Sequence, residues 1–389
     1  MPLPFRLRPL LFLVGIFLLN FLSRIALGPL MPIIEQDLGI SHTEAGSFFL
    51  YLSLGYCIGL LSSGFVSRWR DHRDTIFLSA VASGLVLLAL SFVGGLLAMC
   101  LCLLLLGIVA GLYLPSGIAT VIDLADPRHR GKALAVHELA PNTAFVVAPL
   151  LAEALVRWFS WRGTLAAIGV LSIGMGIAFR AFGQGSRDRG EALRPETLRT
   201  FLREPSLWIM MAAFGIGIGA SYGVYNMLPL FLVAERGMDR TVANALVGIS
   251  RASGIGIAFV AGWASDRLGP RLTIGAIFFA TGVSTIALGA APPWGLIPMV
   301  FLQPMLAAAF FAPALSALSH VGPPRARNVA VALTTPVGFL IGGGAIPAAI
   351  GAIGDWRSLA VGLEFVGLLT LGGTLLLTLL RIEDRSGTE

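Results

Sequence analysis

Leu10-Leu-Phe-Leu-Val-Gly-Ile-Phe-Leu-Leu-Asn20-Phe-Leu-Ser-Arg24-Ile-Ala-Leu-Gly-Pro-Leu-Met-Pro-Ile33 carries one charge in an otherwise apolar run. About 20 predominantly apolar residues suffice to cross a bilayer as a helix. A helix is the form such a segment must take, because in lipid the backbone has to satisfy its own hydrogen bonds. Arg6 and Arg8 precede the run, as in a secretory signal, but no small-residue cleavage site closes a short apolar core. The run therefore reads as a signal-anchor helix that stays in place.

Working outward, comparable runs recur to the end of the chain. Spanning helices are expected at 10–33, 44–66, 75–95, 97–122, 132–155 and 163–182, then at 206–233, 242–264, 272–291, 295–319, 329–353 and 358–380. The whole composition agrees. Of 389 residues, 56% are hydrophobic and 12% charged, against about 25% charged in a soluble domain. So few charges cannot solvate the surface of a soluble protein of this length, which excludes soluble enzymes and secreted modules. Forty-seven Gly and 22 Pro suit a tightly packed membrane bundle. Cys57, Cys100 and Cys102 lie inside apolar runs without metal-ligand spacing and read as small core residues.

One long polar connection, within 183–205, divides the chain into two sets of six helices, 1–182 and 206–389. With a cytoplasmic N-terminus, 20 Lys and Arg fall on the cytoplasmic side and 5 on the other, while Arg24 and Arg251 lie within spans. That asymmetry places both termini in the cytoplasm of a multi-pass plasma-membrane protein, the inner membrane if the source is bacterial. The net charge of +6 thus reports topology and implies no nucleic acid. The two sets also repeat. Gly64 and Gly262, Pro115 and Pro313, and Pro149 and Pro347 are each 198 residues apart, and Trp161-Arg162 recurs as Trp356-Arg357 at an offset of 195. Parallel six-helix repeats build one large transporter class.

Gly262-Trp-Ala-Ser-Asp266-Arg267-Leu-Gly269-Pro-Arg271 resembles the cytoplasmic loop motif of the major facilitator superfamily. The resemblance extends along essentially the whole chain. It implies an all-α membrane fold of twelve helices in two six-helix bundles, with Asp266, Arg267 and Arg271 as a gating latch. The first-half copy at Gly64–Arg73 is degenerate, with Arg68 where the family has its Asp. Leu103 replaces the early helix-4 Arg of proton-coupled members, and Ala148-Pro149-Leu150-Leu151-Ala152 replaces the glycine-rich run of drug antiporters. Asn20-Phe-Leu-Ser23-Arg24, with Leu27–Pro32 and Asp37–Ser41, is similar to organic-anion symporters, although Ser23 stands where those often have Asp. Arg251 is placed as in oxalate/formate and monocarboxylate carriers.

Arginine at a helix centre costs about 2.5–3.5 kcal/mol on the insertion scale, so an intramembrane Arg marks a functional site. Arg24 and Arg251 each lie about nine residues from the outer end of their helices, about 14 Å below that surface at 1.5 Å per residue. Two guanidiniums near the midplane, one from each half, suit a small carboxylate or oxoanion. Asn20 and Arg24 share a face of helix 1, and Tyr222 and Asn226 a face of helix 7; Tyr113 and Gln303 extend the candidate binding set. His137 and Glu138 are candidates for holding a proton. No nucleotide loop, catalytic constellation or cofactor motif is present in the sequence. The expected protein is a monomeric carrier of a small anion, with or without a coupled proton. The alternatives are a drug or neutral-solute exporter and a non-transporting sensor on the same fold.

Overall fold

The structure, a computed structural model, describes residues 7–189, 202–321 and 327–380. Twelve helices long and apolar enough to cross a membrane follow one another: α1 (Arg8–Leu38), α2 (His42–Trp69), α3 (His72–Leu90), α4 (Leu96–Leu124), α5 (Pro127–Val156) and α6 (Trp161–Phe182), then α7 (Pro205–Glu235), α8 (Arg240–Leu268), α9 (Pro270–Gly289), α10 (Pro293–Leu318), α11 (Val329–Trp356) and α12 (Leu359–Leu379). Among the described residues no β-strand element occurs. Arg6, Arg194, Arg199, Arg325, Arg381 and Arg385, all used in the charge reading, lie outside the described residues, as does the side chain of Arg327.

Capping chemistry sets the ends that hydropathy leaves loose. Ser41 and Glu44 form a reciprocal capping box at the start of α2. Asp71, Ser160, Asp239 and Ser358 accept backbone N–H bonds at the starts of α3, α6, α8 and α12. Each satisfies donors that the first helical turn leaves without partners. Gly39, at φ 61°, terminates α1 in the left-handed conformation that costs glycine nothing.

The internal repeat is written in hydrogen bonds at a constant offset of 198 residues. Arg73 Nη2 donates to the Arg180 carbonyl at the end of α6, and Arg271 Nη2 donates to the Thr378 carbonyl at the end of α12. Asp37 accepts from the Trp161 and Arg162 side chains at the start of α6. Its counterpart Glu235 accepts from the Leu359 and Ala360 backbone N–H groups at the start of α12. Packing repeats as well. A Cβ on Gly84 would lie 2.5 Å from the Gly169 carbonyl oxygen, and one on Gly282 would lie 2.8 Å from that of Gly367. The α3/α6 and α9/α12 crossings are thus backbone to backbone, as small residues permit in membranes. The Trp-Arg landmark is corrected by this register. Trp161 opens α6 while Trp356 closes α11, so the counterpart of Trp161 is Leu359.

The two sets of helices meet closely at the face opposite Asp266 and Arg267. There the Glu153 carboxylate of α5 accepts Nε and Nη2 of Arg240 (2.8 and 3.1 Å), Thr241 Oγ1 (3.3 Å) and Asn244 Nδ2 (2.7 Å), all from α8. Asn244 Nδ2 also reaches the Pro29 carbonyl of α1. Asp355, at the end of α11, accepts from the His42 and Thr43 backbone N–H groups that open α2. Gly28 lets α1 pass close to the Asn226 backbone of α7. At the other face Asp266 and Arg267 are exposed. The Glu153 and Asp355 contacts between the two sets of helices thus lie at one face, which they hold closed.

Candidate functional site

Arg24 sits on α1 two residues before a local break at Ala26 that separates Leu7–Ile25 from Leu27–Leu38. It is 2% exposed, and no carboxylate among the described residues pairs with it. Its guanidinium carbon lies 4.0 Å from the Tyr56 ring centroid, 4.7 Å from Phe21 and 5.9 Å from Phe339. These rings attract the cation through their π faces. Nε and Nη2, the two donors on one edge of the guanidinium, have no hydrogen-bond partner. That edge is the one Arg240 uses to grip Glu153 with two parallel bonds. Arg24 presents the same fork with the Tyr56 side chain beside it and no carboxylate on it among the described residues, buried where an unmet donor is costly.

Arg251 is held differently. Residues Gly219–Gly223 of α7 form a π-bulge, and a second one in α11 covers Leu340–Ala345. A bulge of this kind frees backbone carbonyls from the helical ladder and frequently marks a functional site. In α7 the freed carbonyls are met by side chains. Arg251 Nη2 donates to the Ser221 carbonyl, and its Nη1 donates to Ser221 Oγ at 3.1 Å. Gln303 Nε2 donates to the Ala220 carbonyl at 2.8 Å and to Thr285 Oγ1 at 3.1 Å. Arg251 also stacks over Phe145 and Tyr225, 4.6 and 4.8 Å from their centroids.

One aromatic cluster joins the two arginines. Phe21 packs edge-on to Phe145 at 5.2 Å and to Tyr222 at 6.2 Å, Tyr222 meets Phe339 at 5.9 Å, and Phe339 meets Tyr56 at 5.3 Å. Tyr222 lies inside the α7 bulge. Asn226, one turn on, is 0% exposed with both amide atoms unpartnered. Asn20 is committed to the Ala110 carbonyl of α4. The structure therefore gathers Arg24, Arg251, Tyr222 and Asn226 around the rings. It spends Asn20 and Gln303 on backbone carbonyls. Phe21, Phe145 and Phe339 carry no signal in a chain this apolar, and only the arginines beside them reveal what they do. Glu153 escaped sequence reasoning because it lies near a span end, and its partners are 87 or more residues away.

Tyr113, of α4, faces α1 and α5. Its hydroxyl donates to the Leu13 carbonyl at 2.8 Å and contacts His137 Nε2 at 2.9 Å. His137 is wholly buried, with Phe17 stacked on it at 4.5 Å. Glu138 follows at the break between Arg130–His137 and Leu139–Val156, its side chain 53% exposed and its Oε1 3.6 Å from His137 Nδ1. Among the latch residues, Arg267 lies over Trp263 and Arg271 is bound to α12, while Asp266 makes no ion pair among the described residues. No cluster of three His, Cys, Asp or Glu with metal-site geometry occurs among them either.

Twelve candidate spanning helices among the described residues, with an internal repeat and a buried cation, define a polytopic membrane protein. The chain belongs to the Major Facilitator Superfamily, whose profile matches residues 13–347 and 227–389. It is 24% identical over 269 residues to a probable L-galactonate transporter of Escherichia coli K12, covering 64% of this chain and 59% of that protein. It is 26% identical over 249 residues to a hexuronate transporter of Bacillus subtilis 168, covering 59% and 56%. The chain thus spans less than two thirds of the length of these relatives. A crystal structure of a bacterial homolog of the human lysosomal transporter Spinster, inward-facing and occupied, superposes with a TM-score of 0.82 at 16% identity, covering 98% of this chain and 97% of that one. That likeness shows the fold.

Proposed function

We propose that this protein is a secondary carrier that moves a small organic anion across the membrane by alternating access. The observation that carries this reading is the buried Arg24, with its Nε–Nη2 edge unoccupied above an aromatic floor. A carboxylate fits that edge with two parallel charge-assisted hydrogen bonds, in surroundings that exclude water. Asn226 supplies the neutral donor and acceptor for a hydroxylated substrate, and Tyr222 walls the pocket. Arg251 adds positive charge on the far side of the rings. Sugar acids are the first class to test, because galactonate and hexuronate appear in the relatives' names.

Residues 1–182 and 206–389 act as two rocking halves joined by the segment between them. With both termini cytoplasmic, the closed face is external and the structure is inward-open. Glu153–Arg240 and the Asp355 cap then form the outer closure, and Asp266, Arg267 and Arg271 belong to the inner one. Uptake of labelled D-glucuronate, L-galactonate and sulfoacetate into proteoliposomes tests the reading. Wild type is expected to accumulate at least one, and Arg24→Ala to lose it. Undiminished flux of the accepted anion in Arg24→Ala overturns the anchor. Saturable binding without flux assigns the chain to sensing instead.

A further inference from the structure

The Tyr113–His137–Glu138 group is used by nothing described so far, and its hydrogen bonds can be counted atom by atom. The Leu13 carbonyl can only accept, so the Tyr113 hydroxyl proton points to it. The contact between Tyr113 Oη and His137 Nε2 therefore requires the proton on Nε2. This assignment follows from the network. It leaves His137 Nδ1 with a bare lone pair, and Nδ1 is buried without a hydrogen-bond partner. The nearest polar atom is Glu138 Oε1 at 3.6 Å, another lone-pair bearer when the carboxylate is ionised. Two acceptors facing each other, the one on His137 wholly buried, repel. One proton between them turns the repulsion into an ion pair.

We infer that His137 and Glu138 together hold one exchangeable proton, and that this proton is the one coupled to the anion at Arg24. The half-exposed Glu138 carboxylate takes the proton from water. It passes it to His137 Nδ1, where an N–H bond forms as the carboxyl O–H breaks. Release runs the same steps backwards, so no other reactant is needed. The groups facing the pair are Phe17 from α1, Tyr113 from α4 and, within electrostatic range of Glu138, the Tyr56 hydroxyl of α2. Tyr56 in turn lies against Arg24.

The link to the anion site is short. Phe17, stacked on the His137 ring, packs edge-on to Phe21, which lies under the Arg24 guanidinium. All three are on one face of α1. With the proton bound, the pair is neutral overall and leaves Arg24 to the substrate. With the proton gone, Glu138 is an unneutralised carboxylate within electrostatic range of Tyr56, which lies against Arg24, and it competes with the substrate for the arginine. Anion and proton therefore favour each other's binding, by reciprocal linkage. Anion affinity is highest with the proton bound and falls when the proton leaves.

This inference rests on the carrier reading, and two measurements keep their failures apart. In detergent-solubilised, 15N-histidine-labelled protein, His137 is assigned by the loss of its signals in His137→Gln. The neutral ring is expected as the Nε2–H form, with Nδ1 protonated on acidification in wild type and left bare under the same conditions in Glu138→Gln. A His137 ring whose Nδ1 stays bare on acidification, or is protonated alike in Glu138→Gln, overturns the proton site whatever the transport data show. In proteoliposomes loaded with the accepted anion, a one-unit pH gradient is expected to drive about tenfold accumulation of a monoanion. That ratio falls to about one in His137→Gln and Glu138→Gln, while exchange of labelled for unlabelled anion continues. Gradient-driven accumulation that persists in both variants overturns the coupling. If no anion in the panel moves in wild type, the carrier reading fails, and the NMR titration still decides the proton site.

Discussion

Removing the Glu153 carboxylate should open the closed face. Glu153 accepts four hydrogen bonds from three residues of α8, two of them from one guanidinium, and its side chain is 9% exposed. Breaking a fully buried ion pair costs about 3–5 kcal/mol. Here Arg240 is 32% exposed and can recover water, and Asn244 keeps the Pro29 carbonyl. The loss is therefore about 2–3 kcal/mol. At 1.4 kcal/mol per factor of ten, Glu153→Ala shifts the balance between closed and open outer faces by about 30–150-fold. Spin labels at Trp158, just past α5, and Ala234, in the last turn of α7, both exposed, read the separation by pulsed electron resonance. Wild type should populate the short distance, and Glu153→Ala should move most of the signal to a longer one. Glu153→Gln keeps one acceptor oxygen, and with it two of the four contacts, but not the charge, and should fall between. Identical distributions in all three proteins would refute the idea that this cluster holds the face shut.

Three further outcomes follow from the same geometry. Asn226→Leu removes two buried, unpartnered polar atoms and is expected to raise the melting temperature while lowering anion affinity; a fall in both would mean that the amide is structural. Gln303→Leu leaves the Ala220 carbonyl of the α7 bulge unmet and should cost about 1–3 kcal/mol in thermal stability without changing which anion is preferred, as competition assays would show. Gly84→Leu and Gly282→Leu should lower the yield of folded protein to a similar degree, because each drives a side chain into a carbonyl at the same place in the repeat; gel filtration of the two variants compares them.

The fold was open to reading from hydropathy alone, because twelve runs separated by capped breaks leave little else for the chain to do in a bilayer. The expected span at 206–233 meets Pro205–Glu235, and that at 163–182 meets Trp161–Phe182. Arg24 was equally visible, as a charge where none is affordable. What sequence spacing cannot show is how a local irregularity consumes polar groups. The α7 bulge draws Arg251 and Gln303 to its carbonyls, and no periodicity in 206–233 announces a bulge. Asn20 looks like a ligand by its position beside Arg24, but the Ala110 carbonyl on another helix takes its amide. The Glu153 cluster depends on α5 meeting α8 across the halves, a tertiary fact with no local trace. The Trp-Arg pairs misled because chance similarity at an offset of 195 resembles descent, whereas the hydrogen bonds keep 198.

The paired brackets at Arg73–Arg180 and Arg271–Thr378 tie α3 to α6 and α9 to α12 at matching points. Together with the glycine crossings they make each pair a stiff pillar on the flank of its own half, away from the rings around Arg24. A motion that opens one face and shuts the other has no reason to stretch these pillars. Cross-links or rigid fusion partners placed along them should therefore stiffen the protein without arresting it. Variants that trap one state belong instead at the Glu153 and Asp355 contacts, where the halves themselves meet.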